Sequence, residues 1–236
     1  MNPLPPLLAL AVSASSAHSA IIIGNLAAPT TINVTGSSNV TSINYTPYSA
    51  GPPVVNAAYN AKAVGFTMGA SDYSVDSITL RLSGVGNTGT DAPLVSIYTA
   101  NAGKTAPSTL VGTFTNPDFT TTAITNWVFT PASGITLTAG ASYFITVQQT
   151  NTTGSDLNFV WENGGTLTDN TNTVPTGVGA THDTARFGGG PLASAINSVS
   201  SRHNWYQLEG TAIPEPASAL IAGLGAVLLG GRRRRD

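Results

Sequence analysis

Cysteine is absent from this chain, which removes disulfides, thiolate metal ligands and thiol nucleophiles together. Charge is almost as scarce. Asp, Glu, Lys and Arg make up 8% of the 236 residues, against about 25% in ordinary globular proteins. The formal net charge is -2, so there is no basic surplus to neutralise phosphates, and nucleic acid is excluded as a partner. What replaces charge is polar and neutral: 33 Thr, 22 Ser and 18 Asn, with 25 Gly and 15 Pro beside them. Hydrophobic residues at 41% still suffice for a packed core, which separates the chain from charge-rich disordered sequences.

The few charges are unevenly placed. Arg232, Arg233, Arg234 and Arg235 hold four of the nine basic residues, and residues 21–213 carry five basic and nine acidic groups. An acidic body followed by a basic stub points to two environments. At the other end, the apolar stretch Leu4–Val12 leads into small residues ending Ala17-His18-Ser19-Ala20, as signal peptidase requires. Residues 1–19 therefore read as a secretory signal, although no Lys or Arg precedes the apolar run; a plain N-terminal extension is the alternative. The C-terminus runs Ile213-Pro214-Glu215-Pro216, then fifteen mostly apolar residues from Ala217 to Gly231, then the arginines. As a helix that stretch reaches about 22 Å, short of a hydrocarbon core of about 30 Å. Its six Leu, Ile and Val residues contribute only about -2 to -4 kcal/mol of insertion energy. The arginines resist translocation and hold the body outside.

Pro-Glu-Pro at 214–216, a short Leu/Ala/Gly-rich segment and a terminal Arg cluster resemble the PEP-CTERM sorting signal of Gram-negative bacteria, over residues 213–236. The resemblance implies a short transmembrane helix at Ala217–Gly231 held transiently in the inner membrane and a processing motif at Pro214, Glu215 and Pro216. It further implies a stop signal at Arg232–Arg235, an exosortase-type transpeptidase as partner, and delivery to the cell surface or the extracellular polysaccharide matrix. An ordinary tail anchor with a Pro-rich stalk is the alternative.

Between the two ends, residues 20–212 form short alternating stretches broken by Gly, Pro, Asn and Asp. Ile78, Leu80 and Leu82 share one face, with Thr79 and Arg81 on the other, the period of a half-buried strand. The same pattern runs through Leu94–Thr99, Ala123–Thr130 and Ser142–Gln149, where Tyr143, Ile145 and Val147 oppose Phe144, Thr146 and Gln148. Further strands are expected at 21–23, 31–35, 42–46, 63–68, 110–114, 157–162 and 203–210, a long loop at 164–180, and one turn of helix at 192–200. About ten strands with one apolar face each predict an all-β, jelly-roll-like antiparallel β-sandwich, a monomeric ectodomain that needs no disulfide at this size. Phe66–Gly69, Val75–Leu82, Val95–Thr99, Pro107–Gly112 and Leu137–Tyr143 resemble the choice-of-anchor R type of bacterial surface domain, over about residues 60–165. That resemblance implies an exported β-domain and no biochemical activity.

Chemistry has little to work with. His182-Asp183 with Arg186 is the one local titratable cluster, and with Glu162 it can be drawn as an acid/base pair; a polar loop entering a strand explains it as well. Nucleophile-elbow, zinc-helix and phosphate-loop motifs are lacking, so no catalytic residue, metal site or cofactor is expected. Asp169-Asn170-Thr171-Asn172-Thr173 alternates oxygen donors as Ca²⁺ would require, without the Gly and distal Glu of an EF-hand. Trp161, Glu162, Trp205 and Tyr206, with Tyr98 behind them, are the candidate glycan contacts, since sugars stack on aromatic faces and bond to neighbouring polar groups. Aromatics on alternating strands also fill cores. The sequence thus supports a structural matrix role, with a carbohydrate-binding module as the alternative.

Overall fold

A computed structural model describes residues 18–26, 60–86, 92–149, 159–164, 174–189, 197–199 and 203–214. Fourteen strands appear in it: β1 (Ser19–Gly24), β2 (Asn60–Met68), β3 (Tyr73–Ser83), β4 (Pro93–Ala100), β5 (Pro107–Thr115), β6 (Thr125–Pro131), β7 (Thr136–Leu137), β8 (Ser142–Gln149), β9 (Val160–Trp161), β10 (Asn163–Gly164), β11 (Ala180–Gly189), β12 (Asn197–Val199), β13 (His203–Asn204) and β14 (Tyr206–Ala212). Prolines open β4 and β5 and close β6, positions where a missing N–H costs no ladder bond. No helix occurs among the described residues.

Twelve strands form one antiparallel sheet in the order β1-β14-β3-β6-β5-β4-β8-β2-β11-β12, with β7 and β9 pairing β3 off this path, while β10 and β13 pair separately. The path turns a corner between β5 and β6, which share only Phe114↔Pro131 and Thr115↔Thr130. At the far side, residues 176–179 run beside β1 before entering β11. Gly24 and Thr176 exchange backbone bonds at 2.9 and 2.8 Å, and the Val178 and Gly179 N–H groups donate to Ile21 and Ile22 carbonyls at 3.1 Å. The sheet therefore curls almost into a barrel, and the expected sandwich is realised as one continuous antiparallel surface.

Alternation decides which residues face inward, and three extra residues adjust its phase. Pairing slips between Ile21 and Ile23, so Ile22 is additional in β1, and both Ile22 and Ile23 are sealed inside. Asp76 has no counterpart between Glu209 and Gly210, which lets Val75 and Ile78 both point inward although three residues apart. Asp183 is the extra residue of β11, opposite Phe66 and Gly65. Such bulges twist a strand and re-aim the side chains beyond them. Tyr143, Ile145 and Val147 of β8 join the core as expected, but Phe144 and Thr146 on the opposite face are buried too, with Ala63 beside Phe144. β8 lies between β2 and β4, so it has no free flank.

Several expectations are corrected or fall elsewhere. Residues 197–199 are strand in place of the expected helical turn, and the polar stretch around His182 belongs to a ten-residue strand, β11. Of the strand expected at 157–162, residues 159–162 are described, and Val160–Trp161 is strand within them. The stretch 174–179 is irregular, in keeping with the expected loop. β1 begins at Ser19, inside the expected leader; residues 1–17 of that leader, the strands expected at 31–35 and 42–46, and the donor run Asp169–Thr173 lie outside the described residues.

Candidate functional site

Two polar assemblies and the emerging C-terminus are the places to look for function. The first assembly surrounds the aromatic residues singled out for glycans. β9 pairs the end of β3 through Leu82↔Trp161, which turns the Trp161 indole into the core. Its Nε1 donates to the Trp205 carbonyl at 3.0 Å, and its ring meets Tyr206 edge-on at 6.3 Å. The Asn204 amide donates to the Trp161 carbonyl at 2.9 Å and the Asn25 amide to the Asn204 carbonyl at 3.2 Å. The Tyr206 N–H donates to Asn25 Oδ1 at 3.0 Å. Glu162 is buried as well; its carboxylate accepts from the Ser83 hydroxyl at 2.7 Å.

The four residues expected to contact glycans do lie together, on the inside of the body. Trp161 and Tyr206 are wholly buried, Trp205 and Glu162 nearly so. A ring without an open face cannot stack on a sugar, and these groups hold β9, β13, β14 and the turn after β1 together. Burial also raises the Tyr206 phenol well above its ordinary pKa, with the Asp183 charge adding to the shift. Tyr98 is raised by burial too.

The second assembly joins β11 of the curled sheet to the separate β10–β13 pair. His182 of β11 and His203 of β13 meet edge to face with ring centroids 4.7 Å apart. Both nitrogens of His182, Nδ1 of His203 and the Tyr206 hydroxyl are buried without a hydrogen-bond partner. Burial lowers the His182 pKa to about 4, helped by His203 and opposed by Asp183; burial lowers His203 likewise. Asp183, the bulged residue, turns outward instead. Its carboxylate accepts from the Thr67 hydroxyl at 2.6 Å and lies 3.9 Å from Lys104 Nζ, which donates to Thr67 Oγ1 at 2.8 Å. Thr67 has a single hydroxyl proton, and Asp183 takes it, so in the 2.8 Å contact with Ser142 the Ser142 hydroxyl is the donor. Lys104 reaches this cluster from the β4–β5 turn with φ at 53°, where Asn101 Oδ1 accepts the Thr105 N–H at 2.8 Å.

The acid/base drawing of His182 with Glu162 is therefore not assembled: Glu162 faces Ser83, and His182 faces His203. Arg186 sits in β11 opposite Ala63 and Ser198. Among the described residues no group of three or more His, Asp and Glu could hold a metal ion. Thr67, Lys104 and Ser142 carried no motif; only the fold brings a strand end, a turn and a strand start together.

The C-terminus completes the geometry. β14 ends at Ala212 between β1 and β3, and the Ile213 N–H donates to the Asp72 carbonyl at 2.9 Å. Pro214 comes next, exposed. Residues 212–235 match the PEP-CTERM protein-sorting motif. The PEP-CTERM motif implies export, processing by exosortase at the membrane, and sorting to the cell surface. Glu215, Pro216, the apolar stretch 217–231 and Arg232–Arg235 lie outside the described residues, among which no helix is long and apolar enough to cross a membrane. The match takes in only Ala212 of the β-domain, so the likeness to choice-of-anchor R domains rests on the residues that suggested it. No curated protein and no solved structure matches this chain.

Proposed function

We propose that this is an exported structural protein of the cell surface or exopolysaccharide matrix, a monomer with no catalytic role, whose C-terminal signal delivers a neutral, hydroxyl-rich β-domain. The observation that carries the reading is the PEP-CTERM match at 212–235, set directly behind the last strand of a folded body. In this reading residues 1–19 are the leader and Pro214, Glu215 and Pro216 the processing motif. Residues 217–231 then form a short helix that pauses in the inner membrane, and Arg232–Arg235 hold its end in the cytoplasm. The strand order supports a jelly roll: β1-β14-β3-β6 and β2-β8-β4-β5 make two four-stranded layers, with β11 and β12 added beside β2. The choice-of-anchor R likeness fits this reading, since its residues fall on strands and turns of the same body.

A matrix role suits the surface. Thr115, Thr120, Thr121, Thr122, Thr130, Thr136 and Thr138 are exposed, and such hydroxyls bind water and offer acceptors for O-glycosylation without adding charge. No observation favours the carbohydrate-binding alternative, because its aromatic contacts are buried.

Cell fractionation with C-terminal mass spectrometry tests the reading. The mature protein is expected at the surface or in the matrix, ending near Pro214. Replacing Arg232–Arg235 by Gln should leave unprocessed protein in the periplasm. Recovery of the intact chain, firmly embedded in the inner membrane of its host, would overturn it.

A further inference from the structure

The sorting motif begins at Ala212, and Ala212 is also the last residue of β14. Signal and fold share that residue, with no linker between them. β14 is not an edge strand. Its last residues pair with β3 through Thr211↔Ser74 and Ala212↔Tyr73, and on the other side β1 runs to Ala20↔Gly210 once a leader of residues 1–19 is removed. Two more bonds fasten it: the Ile213 N–H to the Asp72 carbonyl at 2.9 Å, and the Thr211 hydroxyl to the Asp76 carboxylate at 2.9 Å. Asp72 is itself anchored, its carboxylate accepting the Ala139 N–H at 2.7 Å. Pro214 is the next residue after the last of these bonds. Its ring carries no N–H and cannot extend the ladder on that side.

An enzyme that processes a peptide chain commonly holds it extended, through backbone hydrogen bonds of the kind a neighbouring strand makes. On the N-terminal side of Pro-Glu-Pro, the stretch such an enzyme would hold is Thr211–Ile213, where Thr211 and Ala212 already pair with β3 and the Ile213 N–H is already given to Asp72. Each residue has one backbone donor and one backbone acceptor to give. Resting on the sorting reading above, we propose that the C-terminal end of β14 is a gate on processing: Thr211–Ile213 must leave β3 and Asp72 before the exosortase-type enzyme can take the motif. Local opening of a strand end is far cheaper than global unfolding. Tyr206 and Leu208, buried at the other end of β14, keep the body folded while its last residues part. The sheet then sets the pace of sorting, and a body that has not finished pairing β14 exposes its motif early.

The absence of cysteine makes the gate testable with one disulfide. Thr211 and Ser74 are directly opposite, and such Cα atoms stand about 4.5–5.5 Å apart, within the span of a disulfide. The full-length chain carrying S74C and T211C is expressed in the native host and its processing followed by pulse-chase. The oxidised lock should slow processing at least about tenfold, since each bond held shut lowers the accessible fraction, and a reductant should restore the rate shown by either single-cysteine chain. As a second variant that leaves the sheet untouched, Gly-Ser-Gly-Ser inserted between Ile213 and Pro214 should speed processing. Wild-type rates in the locked chain, or no gain from the spacer, would overturn the gate. If the unlocked chains are not processed at all, the sorting reading falls first, and the gate with it.

Discussion

At the residue scale, two imidazoles meeting edge to face between β11 and the separate β10–β13 pair set a pH limit on the fold. His182 and His203 are held neutral by burial, with Asp183 the one carboxylate acting on His182 and the Tyr206 hydroxyl buried and unpartnered. An unfolded histidine takes its proton near pH 6.5, whereas folded His182 resists it until about pH 4. The folded pKa is lowered, so the unfolded state binds more protons as pH falls and stability is lost between those values. For His182 alone the loss amounts to about 3 kcal/mol by linkage. Urea unfolding at pH 7.5 and at pH 4.5 should show that loss, and His182→Leu should remove most of the difference while leaving the pH 7.5 midpoint close to wild type. An equal loss in the variant would clear His182 of the effect. Composition announced that histidine was scarce. Which partner His182 would find depended on where β13 lands, and nothing within ten residues of His182 encodes that. The same holds for Trp161: a ring beside Glu and Asn reads as a surface contact until Leu82↔Trp161 pairing turns it inward.

At the element scale, period-2 alternation made β3, β4, β6 and β8 legible, because each keeps one wet face or a continuous apolar one. β11 was harder to see, since its Thr, His, Asp and Arg residues carry no apolar stripe and its length comes from pairing β2. The bulges at Ile22, Asp76 and Asp183 were invisible too, as they depend on a partner strand. Closure between β1 and 176–179 relies on glycine. A Cβ on Gly177 would lie 2.0 Å from the Ile22 carbonyl oxygen, and one on Gly210 would lie 2.4 Å from that of Ser74 and 2.6 Å from Ile22 Cδ1. Backbone oxygens cannot retreat as a flexible side chain can. Gly177→Ala and Gly210→Ala should each cost about 1–3 kcal/mol, read as a lowered Tm. Gly134→Ala, whose Cβ meets nothing within 4 Å, should stay within about 0.5 kcal/mol of wild type. A Tm for Gly177→Ala equal to that of Gly134→Ala would mean that the 176–179 segment does not seal the barrel.

At the scale of the whole molecule, the first strand pairs with the last: β14 fills the slot between β1 and β3. Until β14 arrives, β1 has no ladder on that side and β3 lacks one neighbour, so the layer that carries Ile22, Ile78 and Leu80 cannot form. Contacts this distant in sequence close slowly, on the millisecond-to-second scale of all-β proteins dominated by non-local pairings. The β1–β14–β3 layer therefore stays open until residues 206–212 are available, and the sorting segment follows them directly in the chain. A chain ending after Asn204 should fail to fold, giving a broad, non-cooperative thermal transition and rapid proteolysis. One ending after Pro214 should keep the Tm of the full chain, because the core among the described residues ends at Leu208. If the shorter chain melted cooperatively, β14 would be an addition to a body complete without it, and the timing that links the end of folding to the start of sorting would be lost.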